Sequence, residues 1–116
     1  MKTGSFKDLI VWQKAYKLVL ETYKATRDFP KHEVYGLSQP TRRAAVSIPS
    51  NIAEGYSRRN KGEYIHFLSL AYSSLAELET QYLLSKDLKY LKKNDIVKGL
   101  LGEIGRILYR LMHPIR

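Results

Sequence analysis

Residues 42–55, Arg-Arg-Ala-Ala-Val-Ser-Ile-Pro-Ser-Asn-Ile-Ala-Glu-Gly, constrain the fold more than any other stretch of the chain. Ala44, Ala45, Val46, Ile48, Ile52 and Ala53 recur at helical spacing, so the segment reads as the apolar face of a buried helix. Pro49 sits in its middle, where its ring meets the carbonyl of Ala45 and its missing N–H removes a ladder bond. The remaining side chains, Arg43, Ser47, Ser50 and Glu54, fall on one stripe at steps of three and four. The pattern predicts a helix kinked at Pro49 that carries a polar row, with Asn51 placed to satisfy carbonyls freed by the bend.

Around this segment the apolar periodicity predicts helices over about 8–28, 38–56, 61–89 and 94–112, with no alternating strand pattern and no internal repeat. Ser5-x-x-Asp8 and Asn60-x-x-Glu63 resemble capping boxes, Asn94 can cap the fourth helix, and Pro40 is tolerated in the first turn of the second. Phe29-Pro30 and Pro114 stop the first and last helices. The third helix turns Phe67, Leu68, Ala71, Leu75, Leu78 and Tyr82 inward and carries His66, Ser73, Ser74, Glu77 and Gln81 on its flank. The fourth offers Ile96, Val97, Leu100, Leu101, Ile104, Leu108 and Leu111 as a core face. Gly99, Gly102 and Gly105 step along it every three residues; each costs about 1 kcal/mol against alanine, which points to a close helix–helix approach. The first helix has two apolar stripes where a bundle needs one. One runs Leu9, Trp12, Tyr16, Val19, Tyr23; the other runs Val11, Ala15, Leu18, Thr22, Ala25, Phe29. The excess predicts association between chains, and the stripe centred on Leu18 is expected to be the intermolecular one.

Several motifs together resemble a known family. They are Phe6-Lys7-Asp8-Leu9-Ile10-Val11-Trp12-Gln13-Lys14-Ala15, Phe29-Pro30, Glu33, Tyr35-Gly36-Leu37, Arg42-Arg43-Ala44-Ala45, Ser47-Ile48-Pro49-Ser50-Asn51-Ile52-Ala53-Glu54-Gly55, Phe67-Leu68 and Ser74-Leu75-Ala76-Glu77-Leu78-Glu79. In this order they are similar to the small "four helix bundle" family, whose founding members are encoded in intervening sequences of bacterial large-subunit ribosomal RNA genes. Pro40-Thr41 and Ser73 depart from its pattern. The resemblance covers nearly the whole chain. It implies an all-α, antiparallel, up-down-up-down bundle that assembles as a ring-like homopentamer, with nucleic-acid binding as the leading suggestion for its role.

At 116 residues and 44% apolar composition, the chain has room for a single domain, 1–116, with one core. It has no cysteine, so disulfides and thiolate metal sites are excluded. No apolar run approaches the roughly 20 residues that span a bilayer. The first residues lack an apolar signal core, so a cytoplasmic protein without membrane association is expected. The net charge is +9, and it is unevenly spread: +3 over 1–35, +4 over 36–62, −2 over 63–91 and +4 over 92–116. Such a surplus favours polyanions, and repetition of it in an oligomer strengthens the preference.

Catalytic and cofactor chemistry finds little support. Glu63-x-x-His66 is a single Glu-x-x-His, where di-metal bundles use two plus two further carboxylates, so no metal and no cofactor are expected. No nucleophile–base set can be assembled from His32, His66 and His113, and no glycine-rich phosphate loop is present. The chain is therefore read as a non-enzyme. Basic residues alternate with tyrosine at Tyr56-Ser57-Arg58-Arg59-Asn60-Lys61 and at Lys89-Tyr90-Leu91-Lys92-Lys93, suited to phosphate contacts and base stacking without sequence readout. Arg42, Arg43, Arg58, Arg59, Lys61, Lys89, Lys92 and Lys93 are the candidate nucleic-acid-binding residues. In an up-down bundle the two loops lie at opposite ends, so an oligomer would be needed to gather copies into rims. Ser47, Asn51, Glu54, Ser74 and Glu77 are expected to form a structural polar seam, with a carboxylate paired to arginine, Glu54 with Arg58 at i,i+4, the alternative being a ligand-binding cleft. The reading is an oligomeric bundle that binds RNA or DNA through basic rims. The alternative is a scaffold for an unknown protein partner, its charge incidental.

Overall fold

Side-chain caps open the first 3-10 turn and the third helix. Ser5 and Asp8 cap one another: the Ser5 hydroxyl accepts from the Lys7 N–H (3.1 Å) and Asp8 Oδ2 accepts from the Ser5 N–H (3.2 Å). This closes a 3-10 turn, Phe6–Asp8, which feeds α1, Ile10–Thr26. Asn60 Oδ1 accepts from the Glu63 N–H at 2.8 Å and starts α3, Lys61–Asp87. Between α1 and α3 the chain makes a 3-10 turn, Lys31–Glu33, and a wide π-type turn, Val34–Ser38, that runs straight into α2, Gln39–Tyr56, with Pro40 in its first turn. α4 is Asp95–Met112. The computed structural model describes residues 4–91 and 95–114; the expected Asn94 cap lies outside them. Among the described residues all regular structure is helical. α1 and α3 stop two residues short of their expected ends, α3 because Lys89 takes a left-handed φ of 68°. That conformation lets the Tyr90 N–H reach the Ser85 carbonyl (2.9 Å) and the Lys89 N–H reach Lys86 (3.0 Å), closing the helix with a Schellman motif.

α2 continues through Pro49 as one helix, with Pro49 itself buried. Its side-chain bonds differ from expectation. Asn51 Nδ2 donates to the Ser47 carbonyl (2.8 Å) and hydroxyl (2.9 Å), and Ser50 Oγ donates to the Val46 carbonyl (2.8 Å). Neither reaches Ala45, whose carbonyl is the one a proline at 49 deprives of its donor.

The helices pack in the cyclic order α1–α2–α3–α4, each against two neighbours, with the α2–α3 interface the most extensive. Ser47 meets Ser74 near the middle of that interface, while Gly55 meets Tyr64 and Phe67 at its end, so α2 and α3 run in opposite directions. A Cβ on Gly55 would lie 2.9 Å from Phe67 Cβ and 3.3 Å from the Tyr64 carbonyl oxygen. Glycine is thus what allows the two helices to converge at the turn between them. The core holds Val11, Ala15 and Leu18 of α1, Ala44, Ala45, Ile48 and Ile52 of α2, Leu68, Ala71, Leu75 and Leu78 of α3, and Val97, Leu100, Leu101, Ile104 and Leu108 of α4.

Two sequence expectations are corrected by this packing. The stripe containing Val11, Leu18, Thr22 and Phe29 is the intramolecular one, with Leu18 fully buried, whereas Tyr16 and Tyr23 of the other stripe are 51% and 44% exposed. Both stripes are apolar enough to enter a core; the wider aromatic side chains are left at the margin because α2 and α4 close over the narrower one. The glycine step on α4 does not form one intramolecular contact surface either. A Cβ added at Gly105 would lie 3.4 Å from Leu75 Cδ2, one at Gly102 would meet its own helix's Arg106, and one at Gly99 would meet nothing within 4 Å among the described residues. Ile96 and Leu111, placed in the core by periodicity, are exposed.

Gly55→Ala should destabilise the fold by about 1–3 kcal/mol through overpacking, because the obstructing atoms include backbone. Thermal unfolding followed by circular dichroism should show a lower midpoint with a native far-ultraviolet spectrum below it. Leu18→Glu should lower that midpoint far more than Tyr16→Glu, since only the first forces a carboxylate into the core.

Candidate nucleic-acid interface

The turn at 57–60 joins α2 to α3 so tightly that its side chains are held by both helices. The Arg58 N–H donates to the Gly55 carbonyl (3.0 Å), and Ser57 Oγ donates to the Glu54 carbonyl (2.7 Å). Arg58 Nη2 donates to Glu54 Oε2 at 2.7 Å, and the guanidinium lies 4.7 Å from the Phe67 ring centroid, a cation–π contact across the interface. Arg58 is therefore fixed and largely neutralised by Glu54. Arg59 and Lys61 are exposed and have no ion-pair partner among the described residues. Between these cations Tyr56 and Tyr64 border a recess of about 540 Å³, lined more by apolar than by polar surface. Burial raises the Tyr64 phenol above its ordinary pKa, and the neighbouring Tyr56 adds to the shift.

Arg42 and Arg43 lie on the first turns of α2, away from that recess. Arg42 Nε donates to Thr26 Oγ1 at 2.7 Å, and its guanidinium sits 4.7 Å from the Tyr23 ring centroid. Arg42 thereby ties α2 to the end of α1 and covers the Tyr23 face. Arg43 is exposed beside it. Lys89 is exposed at the far end of α3, next to Tyr90, whose hydroxyl donates to Glu33 Oε2 (2.8 Å) and whose ring packs on Phe29 (centroids 5.7 Å). That bond to Glu33, with a smaller contribution from burial, raises the Tyr90 pKa. Lys92 and Lys93 lie outside the described residues. The molecule is elongated, with extents of 47 × 23 × 20 Å, and the 27-residue α3 separates Lys61 from Lys89 by about 40 Å at 1.5 Å per residue. One chain thus brings Arg58, Arg59 and Lys61 together, places Arg42 and Arg43 elsewhere, and leaves Lys89 at the opposite end.

The polar seam is narrower than expected. Ser47 and Ser74 hydroxyls bond across α2 and α3 at 2.8 Å, and Asn51 completes the set through Ser47. Glu54 and Glu77 do not belong to it: both are exposed, Glu54 turned to Arg58 and Glu77 left at the surface. The helical step that placed them on the row is right, but the row wraps out of the interface within one turn of Ser47 and Ser74. Sequence reasoning missed Tyr64 as a partner of Tyr56, and Tyr23 as the platform under Arg42. The clue for Tyr64 was available: a four-residue turn capped by Asn60 brings the last residue of α2 beside the first turn of α3. Among the described residues no group of three or more His, Cys, Asp or Glu is arranged to hold a metal ion, and no helix is long and apolar enough to cross a membrane.

A family match covers residues 7–110, from the first 3-10 turn to the last turn of α4, and carries the description 23S rRNA-intervening sequence protein. The chain belongs to that family. The matched range includes the Ser47–Ser74 pair, the Gly55 contact and the whole 56–64 turn. No curated protein matches the chain significantly.

The Tyr64 environment makes a pH prediction. Its folded pKa is above its unfolded value of about 10, so the folded state holds the proton more tightly. The corresponding stability is fully present below pH ~10 and is lost as pH rises through the folded value. Spectrophotometric titration of Tyr64→Phe should lack one late-ionising phenol, and its stability should fall less steeply in alkali.

Proposed function

We infer that the chain is a non-catalytic, cytoplasmic RNA-binding module that works as a homo-oligomer and contacts the phosphate backbone without reading sequence. The observation that carries this reading is the pair of exposed cations, Arg59 and Lys61, beside a two-tyrosine recess, on a chain of net charge +9. Phosphate contact by arginine and lysine with stacking on aromatics is the pattern of sequence-tolerant single-strand and loop binding. The description of the family, an rRNA intervening-sequence protein, supports RNA over DNA as the polymer. Exposed apolar side chains on α1, with Ile10 63% and Leu20 51% accessible, support self-association. Resemblance to the family supplies the number five. Five copies would repeat the 56–64 turn around one rim and supply the charge density that a single rod lacks.

Binding of a labelled RNA across a salt series tests the reading. Arg59→Gln with Lys61→Gln should weaken binding to every sequence alike. On single strands it should also reduce the slope of log affinity against log salt by about 0.7 for each phosphate that is no longer neutralised. Gln at these exposed turn positions leaves the core untouched, so stability should stay within about 0.5 kcal/mol of the parent. The scaffold reading rests on the same exposed apolar faces and is favoured if RNA affinity is insensitive to salt and to both substitutions. Sedimentation at micromolar concentration should show a species larger than one chain; a monomer would remove the rim.

A further inference from the structure

We propose that the outward face of α1 in one copy of the chain docks head-to-tail on the outward face of α3 in the next copy, with Lys17 set against Glu77. This deepens the homo-oligomer reading above and rests on it; what it adds is the pair of surfaces and the unlike charges that select them.

Large apolar side chains left uncovered by the bundle are concentrated on these two helices. On α1, Ile10 and Leu20 are exposed with the exposed Lys17 between them. On α3, Leu70, Leu84 and Leu88 are exposed, and the exposed Glu77 lies between the first two. The outward row of α2 is instead polar, Gln39, Arg43, Ser50 and Glu54, with Val46 as its one large apolar member. Ile10, Lys17 and Lys24 step by seven residues, about 10.5 Å along a helix, and so do Leu70, Glu77 and Leu84. Laid side by side in one direction, the two rows set Ile10 on Leu70 and Lys17 on Glu77. Lys24, whose ammonium is held by Glu21 at 3.3 Å, lays its aliphatic stem on Leu84.

Charge selects the partner helix. α3 holds four carboxylates against two lysines, net −2, whereas α1 holds three lysines against one glutamate, net +2. α2 and α4 are each net +1, which leaves α3 as the acidic helix. Lys17 and Glu77 have no ion-pair partner among the described residues. Within a chain, α1 and α3 each pack against α2 and α4, at opposite corners of the bundle, so their outward charges cannot pair with one another. A two-fold contact of α1 on α1, or of α3 on α3, would oppose like charges. The groove between α3 and α4, about 580 Å³, is flanked by Arg106 and Arg110 and repels a basic helix. A head-to-tail contact leaves each chain one face of each kind, so it continues from copy to copy until a ring closes.

Sedimentation velocity of the full chain at micromolar concentration tests the pairing with two variants. Leu20→Glu spoils the α1 face and Leu84→Glu spoils the α3 face. Both side chains are exposed, so each variant should keep the parent's far-ultraviolet circular dichroism. Each alone should sediment as a single chain. An equimolar mixture should form a species of two chains, because the intact α3 face of the first variant meets the intact α1 face of the second. A mixture that stays monomeric, or either variant keeping the parent's size, would overturn the α1–α3 pairing and leave the homo-oligomer reading intact. A parent that is itself monomeric would overturn both. Charge exchange gives a second readout that buries no new carboxylate among leucines. Lys17→Glu and Glu77→Lys should each lower the association constant about ten-fold, and the two combined in one chain should restore it. Failure of the combined variant to recover would overturn the pairing, and this exchange decides alone if the leucine variants do not fold.

Discussion

The close approach of α2 to α3 at Gly55 is the contact on which the rest of the molecule depends. With no Cβ at 55, the end of one helix rests on the Tyr64 backbone and the Phe67 side chain of the next, and the connecting turn can be four residues long. That approach sets the depth at which Ser47 and Ser74 meet one helical half-length away. It also sets the register with which Ile48, Ile52, Leu68, Ala71 and Leu75 fill the core. A hydroxyl pair inside an apolar interface is tolerated because each oxygen has a partner, and Asn51 adds a donor to Ser47. The pair works as a registry mark: sliding α2 by a residue would leave polar groups without partners, at a cost of about 1–3 kcal/mol each.

The same geometry sorts the basic residues into two kinds. Arg42 and Arg58 serve the fold. One spans from α2 to Thr26 and Tyr23 of α1, and the other spans from α2 to Phe67 of α3 while paired to Glu54. Their planar guanidinium groups suit this, since each combines a directed hydrogen bond with a ring contact, which a lysine ammonium does poorly. Arg43, Arg59, Lys61 and Lys89 project into solvent and carry the field that a polyanion would meet. Because the helices are long and the bundle is narrow, these charges are distributed along a rod. Each end has only a few, which is weak electrostatics for one chain at physiological salt and considerably more for a ring of chains.

Much of the fold could be read in the sequence because helix periodicity is a local property. The four helices, the caps at Ser5 and Asn60, Pro40 in a first turn and the core faces of α2 and α3 follow from spacing and side-chain chemistry within a few residues of each other. The candidate site was half legible. The basic character of the 56–61 turn and the Glu54–Arg58 pair are sequence-local, and both are in the structure. Tyr23 beneath Arg42 was not legible, because it belongs to a different helix from the residue it serves, whereas the short Asn60-capped turn did point to Tyr64 beside Tyr56.

What the sequence by itself determined is therefore the set of helices, their ends, and which residues are too apolar or too charged to change sides. What only the tertiary structure decided is the choice among faces of comparable hydrophobicity. α1 carries two stripes able to enter a core, and the stripe of Val11, Ala15, Leu18 and Thr22 is the one enclosed. Tyr16 and Tyr23 stay at the surface, where their hydroxyls remain hydrated. α4 carries three glycines at one spacing, and among the described residues only Gly105 faces another helix. Glu54 and Glu77 share helical rows with the half-buried Ser47 and Ser74 and still reach water. The physical reason is the same in each case: periodicity fixes the angle of a side chain about its own helix axis, whereas the position of the neighbouring helices decides which angles are covered.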